Sequence, residues 1–174
     1  MIMEKVYLCL GGNVGDTRQY LNQAIALISS RIGRVAAQSA VYQSEPWGFN
    51  AEQMFLNQAV MVETELEPHA VLERCLQIES ELGRTRSGNG YEPRTIDIDI
   101  IFFGNQIIDT PDLKVPHPLM HRRNFVLQPL CEIAPNLVHP VFGLTVKQLA
   151  DECGDKSAVT PLRSRQGNQT DSAL

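Results

Sequence analysis

The segment PRTIDIDIIFFGN, Pro93 to Asn105, constrains the fold more than any other part of the chain. Ile96, Ile98, Ile100, Ile101, Phe102 and Phe103 read as a buried strand, yet Asp97 and Asp99 interrupt the run. An ionised carboxylate without partners in a low-dielectric interior is costly enough to neutralise rather than stay charged. Strand geometry removes the conflict, because residues i and i+2 share one face and the residues between them share the other. Asp97 and Asp99 then project side by side, while Ile96, Ile98 and Ile100 enter a core.

The flanking segments supply partners for such a strand. Lys5 to Leu10 reads as a strand ending in Gly11-Gly12, with a tight turn expected through GGNVGD. Asp16 or Thr17 can cap a helix whose stripe is Leu21, Ile25, Ile28 and Ile32, with Gly33 as its stop. Val35 to Gln43 is expected as a strand, and SEPWGFNAEQ after it as a loop. Phe55 to Glu65 alternates, with Phe55, Asn57, Ala59 and Met61 on one face and Leu56, Gln58, Val60 and Val62 on the other. Glu67-Pro68 opens a second helix with the stripe Val71, Cys75, Ile78 and Leu82, and Gly83 ends it. After the strand over Thr95 to Phe103, Gly104-Asn105 predicts a hairpin with Gln106 to Asp109 returning. Helices are expected over Arg122 to Ile133 and Val146 to Cys153, and a flexible tail from Gly154. The order predicts an α+β fold. Its core is a ferredoxin-like βαββαβ unit, an antiparallel sheet with helices packed on it, plus an extra hairpin and C-terminal helices. One domain is expected over residues 1–153, with 154–174 as tail.

Composition narrows the function. The chain has 174 residues and 43% hydrophobic content, enough for a core. Its 15 basic and 20 acidic residues give a net charge of −5, which argues against a general nucleic-acid binder. Cys9, Cys75, Cys131 and Cys153 form no C-x-x-C pair, so zinc and thioredoxin-like readings lack support. Cys9 and Cys75 fall in apolar segments and read as core residues. No run approaches the roughly 20 apolar residues of a membrane helix. The expectation is a reduced, cytoplasmic protein with no membrane partner.

Two carboxylates two residues apart on a strand suit a hard divalent cation. Mg²⁺ takes one or two carboxylates and leaves its other positions to water and substrate phosphates. The same spacing also fits the solvated face of an amphipathic strand. Arg84, Arg86 and Arg94 lie just before the aspartates. They fit structural ion pairs or a phosphate clamp, since guanidinium forks match phosphate oxygens. The chain has no G-x-x-x-x-G-K-[ST] and no H-R-D motif, which excludes P-loop and protein-kinase readings.

Taken together, PRTIDIDIIFFGN, LGGNVGD, FLNQAV, GRTR, VPHP and RRNFVLQPL resemble the 6-hydroxymethyl-7,8-dihydropterin pyrophosphokinases of folate biosynthesis. The resemblance runs from about Lys5 to Gly143. It implies a ferredoxin-like fold and transfer of pyrophosphate from ATP to the pterin hydroxymethyl group, with release of AMP. It implies ATP as co-substrate and two Mg²⁺ ions held by Asp97 and Asp99. By the same resemblance, Arg84 and Arg94 contact the phosphates, assisted by Arg86, His117 and Arg123. Tyr91 and Ile100 are further implied contacts of ATP. Phe55 and Phe125 are implied to sandwich the pterin, and Asn57 to hydrogen-bond its edge. The segment Ser44, Pro46 and Trp47 would complete that pocket. A monomer acting on the two small substrates is expected.

Two departures stand out. Tyr91-Glu92 replaces the Trp-Gly common before Pro-Arg in the family, and Pro118 stands where an aromatic residue is common. Two rival readings share the same residues. A nucleotidyltransferase also uses alternating strand aspartates with two metals but releases pyrophosphate. A non-catalytic ferredoxin-like module would consume no ATP.

Overall fold

The computed structural model describes residues 2–45, 54–83 and 95–162. Its centre is the antiparallel pair of β1 (Glu4–Gly12) and β4 (Phe55–Thr64). β5 (Asp97–Phe103) flanks β1 on one side. On the other side β2 (Arg34–Gln38) and β3 (Tyr42–Ser44) both pair with β4, and β8 (Val159–Pro161) pairs with β3. The path β5–β1–β4–β3–β8, with β2 also on β4, is the expected ferredoxin-like arrangement.

Alternation along the strands divides two cores. Val6, Leu8, Leu10, Val60, Val62, Ile98 and Ile100 face α1 (Thr17–Arg31) and α2 (Pro68–Glu81). Tyr7, Cys9, Ala59 and Phe102 face the opposite layer, built by α3 (Asn124–Ile133) and α4 (Val146–Glu152). Each fully buried Leu, Ile or Phe removes enough apolar surface to favour folding by about 1.5–3 kcal/mol. The sheet is therefore fixed from both sides. The helix caps follow the sequence: Asp16 accepts from the Gln19 amide at 3.2 Å, and Gly83 ends α2 at a φ of 109°.

Four expectations are corrected. The first strand extends through both glycines, because Gly11 and Gly12 pair with Asn57 and Leu56. The single strand over Val35 to Gln43 is two strands. Ser39 separates them while staying bound to β4: its amide donates to Ala59 O at 2.8 Å and its hydroxyl accepts from the Ala59 amide at 2.9 Å. The return after Gly104 does not pair with β5. β6 (Ile108–Asp109) pairs instead with β7 (Lys114–Val115), and the outer edge of β5 is met by the His117 amide donating to Ile101 O at 3.0 Å. The helix over Arg122 to Ile133 is broken at Arg123, which is extended between a 3₁₀ turn (Met120–Arg122) and α3.

The tail also begins later than Gly154. Asp155 accepts from the Asn124 amide at 3.0 Å and from the Ser157 hydroxyl at 2.6 Å, and β8 then joins the sheet. These local acceptors fasten a polar segment that has no apolar periodicity to announce it. The rest of the expected tail, 163–174, lies outside the described residues.

Candidate active site

One row of residues crosses the sheet from β3 to β5. Tyr42 pairs with Asn57, Asn57 with Gly11, and Gly11 with Asp97. Paired residues of antiparallel strands share a face. The row therefore places a phenol, a carboxamide, a bare backbone and a carboxylate side by side. Asp99 follows on the same face, opposite Cys9, and Phe55 flanks Asn57 opposite Ser44. This face looks toward the layer of α3. The opening paradox is thereby resolved: Ile98 and Ile100 are buried among α1 and α2, Asp97 is half-buried, and Asp99 is exposed.

Several contacts fix the aspartate strand. The Ile98 amide, between the two carboxylates, donates to Oε2 of the buried Glu79 at 2.7 Å. Thr95 Oγ1 donates to Leu82 O at 3.0 Å. A Cβ at Gly12 would lie 2.3 Å from Thr95 O, so the approach of β1 to this segment requires glycine. Residues flanking Asp97 and Asp99 are thus held by the end of α2 and by β1.

The opposite wall comes from the segment between β7 and α3. Arg123 lies with its guanidinium carbon 5.7 Å from the centre of the Phe125 ring, a cation–π contact. The Cys9 thiol is buried, which pushes its pKa well above the ordinary value. Asp99 and Asp97 push it further up and Arg123 opposes them, so all three charges are felt at this thiol, which stands opposite Asp99 on the same sheet face. His117 is lowered by burial, with Arg123 acting the same way and Asp99 opposing. Its Nδ1 accepts from the Leu119 amide at 3.2 Å, which assigns the proton of the neutral ring to Nε2.

The structure brings Ser44, Phe55, Asn57, Asp97 and Asp99 onto one sheet face, with His117, Arg123 and Phe125 in the segments beside it. Ile100 belongs to the opposite face, in the core against α1 and α2. Pro46, Trp47, Arg84, Arg86, Tyr91 and Arg94 lie outside the described residues. Among the described residues no group of three or more His, Cys, Asp and Glu forms a metal cluster. Two oxygen donors with one exposed carboxylate still match a cation that completes its shell with water and phosphate.

Two residues of the site fall outside the candidate site residues read from the sequence, although Gly11 stands in LGGNVGD. Glu79 lies four residues after Cys75 on the buried stripe of α2, a position where a carboxylate signals a specific partner. Gly11 lies inside a strand, where glycine signals a close approach.

A family model described as 7,8-dihydro-6-hydroxymethylpterin-pyrophosphokinase matches residues 7–135. The chain belongs to this family. The Porphyromonas gingivalis 2-amino-4-hydroxy-6-hydroxymethyldihydropteridine pyrophosphokinase is 43% identical over 141 residues, covering 79% of this chain and 95% of that protein. The Bacillus subtilis enzyme of the same name is 46% identical over 128 residues, 73% of this chain and 76% of its own length. Among solved structures, the wild-type Plasmodium falciparum HPPK-DHPS with pteroate superposes with a TM-score of 0.72 at 16% identity. It covers 87% of this chain, which spans 44% of that longer one, and at this identity the likeness concerns the fold. As a pyrophosphokinase of folate synthesis, this family member transfers pyrophosphate from ATP to hydroxymethyldihydropterin. Among the described residues no helix is long and apolar enough to cross a membrane.

Proposed function

We propose that this pyrophosphokinase works with two Mg²⁺ ions held by Asp97 and Asp99. The pterin lies over the row that contains Asn57 and Gly11. The observation that carries this reading is the register: Asn57, Gly11 and Asp97 occupy adjacent strands on one face. Neighbouring strands lie about 4.8 Å apart, so Asn57 and Asp97 originate about 10 Å from each other. That span suits a bicyclic ring read at one edge and reacting at the other.

Phe55 from the sheet and Phe125 from α3 cover the two faces of the ring, and Asn57 reads its polar edge. The backbone of Ser44, Pro46 and Trp47 closes the same pocket. Arg84 and Arg94 bind the phosphates, with Arg86, His117 and Arg123 adding positive charge or N–H donors and Tyr91 completing the nucleotide site. When bound, the metal ions supply charge neutralisation on the phosphates and acidify the attacking hydroxyl. The hydroxymethyl oxygen forms a bond to the β-phosphorus. The bond from that phosphorus to the oxygen shared with the α-phosphate breaks, AMP leaves, and the hydroxyl proton passes to solvent. Such a transfer depends on positioning and electrostatics, with no covalent enzyme intermediate.

We place this activity in one monomeric domain, which runs past residue 153 to include β8, acting in the cytoplasm on two small substrates. Product analysis tests the reading. Incubation with ATP, Mg²⁺ and 6-hydroxymethyl-7,8-dihydropterin should yield AMP and the pterin diphosphate, and chelation by EDTA should stop it. Release of pyrophosphate instead would establish nucleotidyl transfer. Turnover unaffected by EDTA would remove the metal assignment.

A further inference from the structure

We infer that Gly11 is the positioning residue that sets the Asn57 carboxamide for reading the pterin edge, an inference that rests on the proposed role of Asn57. Gly11 stands directly between Asn57 and Asp97 in the cross-strand row. A Cβ at Gly11 would lie 2.3 Å from Asn57 Oδ1 and 3.3 Å from its Cγ. The carboxamide therefore leans off its own strand and over the bare backbone of β1, toward Asp97. No side chain other than hydrogen leaves that space.

The neighbouring strands restrict the amide's alternatives. Asn57 is 6% exposed, so the position of its amide over Gly11 is set by packing and not by solvent. On its other side stands Tyr42, whose hydroxyl donates to Glu132 Oε1 at 2.7 Å and is held toward α3. Glu132 is held in turn by the Ala40 amide, which donates to both its carboxylate oxygens at 3.3 and 3.1 Å. The row thus reads fixed phenol, amide, gap, carboxylate. A methyl group in the gap would turn the amide rather than break the sheet, because the atom it meets first is the far end of a side chain. The next contact, Leu56 O at 3.4 Å, is an ordinary one.

The consequence is a split between substrates. Gly11→Ala should weaken pterin binding roughly 10- to 100-fold, as expected when a buried polar edge loses its partner. It should leave the affinity for an unreactive ATP analogue unchanged. The deciding measurement is a double-mutant cycle by calorimetry on the full chain, with Mg²⁺ and the ATP analogue present. Asn57→Ala should weaken pterin binding by itself. Adding Gly11→Ala to it should cost less than about twofold more, since the clashing amide is gone.

The outcomes separate the two claims. Normal pterin binding by Asn57→Ala would overturn the role of Asn57 and the inference with it. Weak binding by Asn57→Ala but normal binding by Gly11→Ala would overturn the inference alone, as would two fully additive losses. Should Gly11→Ala fail to fold, a melting curve of the double variant decides. A double variant that folds supports the Asn57 clash, and one that does not fold assigns Gly11 to the sheet and overturns the inference.

Discussion

The amide of Ile98 donates to Oε2 of Glu79 at 2.7 Å, so a buried carboxylate of α2 fastens the backbone N–H of the residue between Asp97 and Asp99. A buried N–H left without an acceptor costs about 1–3 kcal/mol. Glu79→Ala should therefore lower stability by at least about that amount, measured as a shift of the urea midpoint. Glu79→Gln keeps an acceptor oxygen and should lose less. Equal losses in the two variants would mean that the charge of Glu79, not this hydrogen bond, carries its contribution.

Asp97→Ala and Asp99→Ala should each reduce turnover by about 10²-fold or more, the scale of several kcal/mol of transition-state stabilisation. Both should fold, because neither side chain enters the core formed by Ile98 and Ile100. Steady-state rates with saturating ATP and Mg²⁺, beside circular dichroism, check both parts. Near-normal turnover in both variants would remove the metal site.

Phe125→Ala should weaken pterin binding while leaving the affinity of an ATP analogue close to normal. Aromatic stacking adds about 0.5–1.5 kcal/mol beyond area burial. The ring is only partly buried and also lies beneath the Arg123 guanidinium, so truncation removes that contact as well. Calorimetry should find the larger loss on the pterin side. A loss on the ATP side of equal size would assign Phe125 to the support of Arg123 instead of the ring sandwich.

The legibility of this chain follows from the range of each signal. The D-x-D strand was readable because alternation alone assigns Asp97 and Ile98 to opposite faces. The ferredoxin-like order was readable from the two helix stripes between strand patterns. The pairing of β6 with β7 was not, because Gly104-Asn105 specifies a turn and says nothing of the partner after it. The break at Ser39 was equally hidden, since it depends on hydrogen bonds to Ala59, twenty residues away along the chain. Gly11 and Glu79 acquire their meaning only when β1, β4, β5 and α2 are in register. For β8, short-range acceptors such as Asp155 substitute for the apolar pattern that usually marks a strand.

The four cysteines should differ in reactivity. Burial pushes the Cys75 thiol up to about 12, with the charges of Glu79 and Asp99 acting the same way. The Cys9 thiol is raised by burial too. Thiolate, not thiol, is the nucleophile, so neither should react appreciably with a disulfide reagent at about pH 8. Cys131 is half-buried and should react first, while Cys153 is buried. Mass spectrometry after brief labelling, with and without urea, resolves the order. Fast native labelling of Cys9 would contradict its burial beside Asp99 in the core under α3.

Acid should destabilise the fold before the carboxylates titrate. His139 is buried, its Nδ1 accepts from the Val141 and Phe142 amides at 3.1 Å each, and its ring stacks on Phe142 at 4.2 Å. Protonating Nδ1 would remove that acceptor. Burial, followed by the neighbouring charge of His121, lowers the His139 pKa, and burial followed by Arg122 lowers that of His121. A histidine depressed in the fold binds more protons when unfolded. Stability is therefore complete above the unfolded value, about 6.5, and falls as the pH drops through that value toward the folded one. Each such group contributes a slope of at most about 1.4 kcal/mol per pH unit inside its window. The depressed carboxylates have a separate, lower window. For Asp155, burial opposes the shift, but the hydrogen bonds from Ser157 and Asn124 outweigh it, so its stabilisation is lost only as pH falls through its folded value, below about 3.8. Urea midpoints between about pH 7.5 and 5 should fall, and hydrogen exchange at Val141 and Phe142 should accelerate over the same interval. A flat midpoint across that interval, with unchanged exchange at both amides, would show that His139 keeps its acceptor role after protonation elsewhere and that acid acts only through the carboxylates.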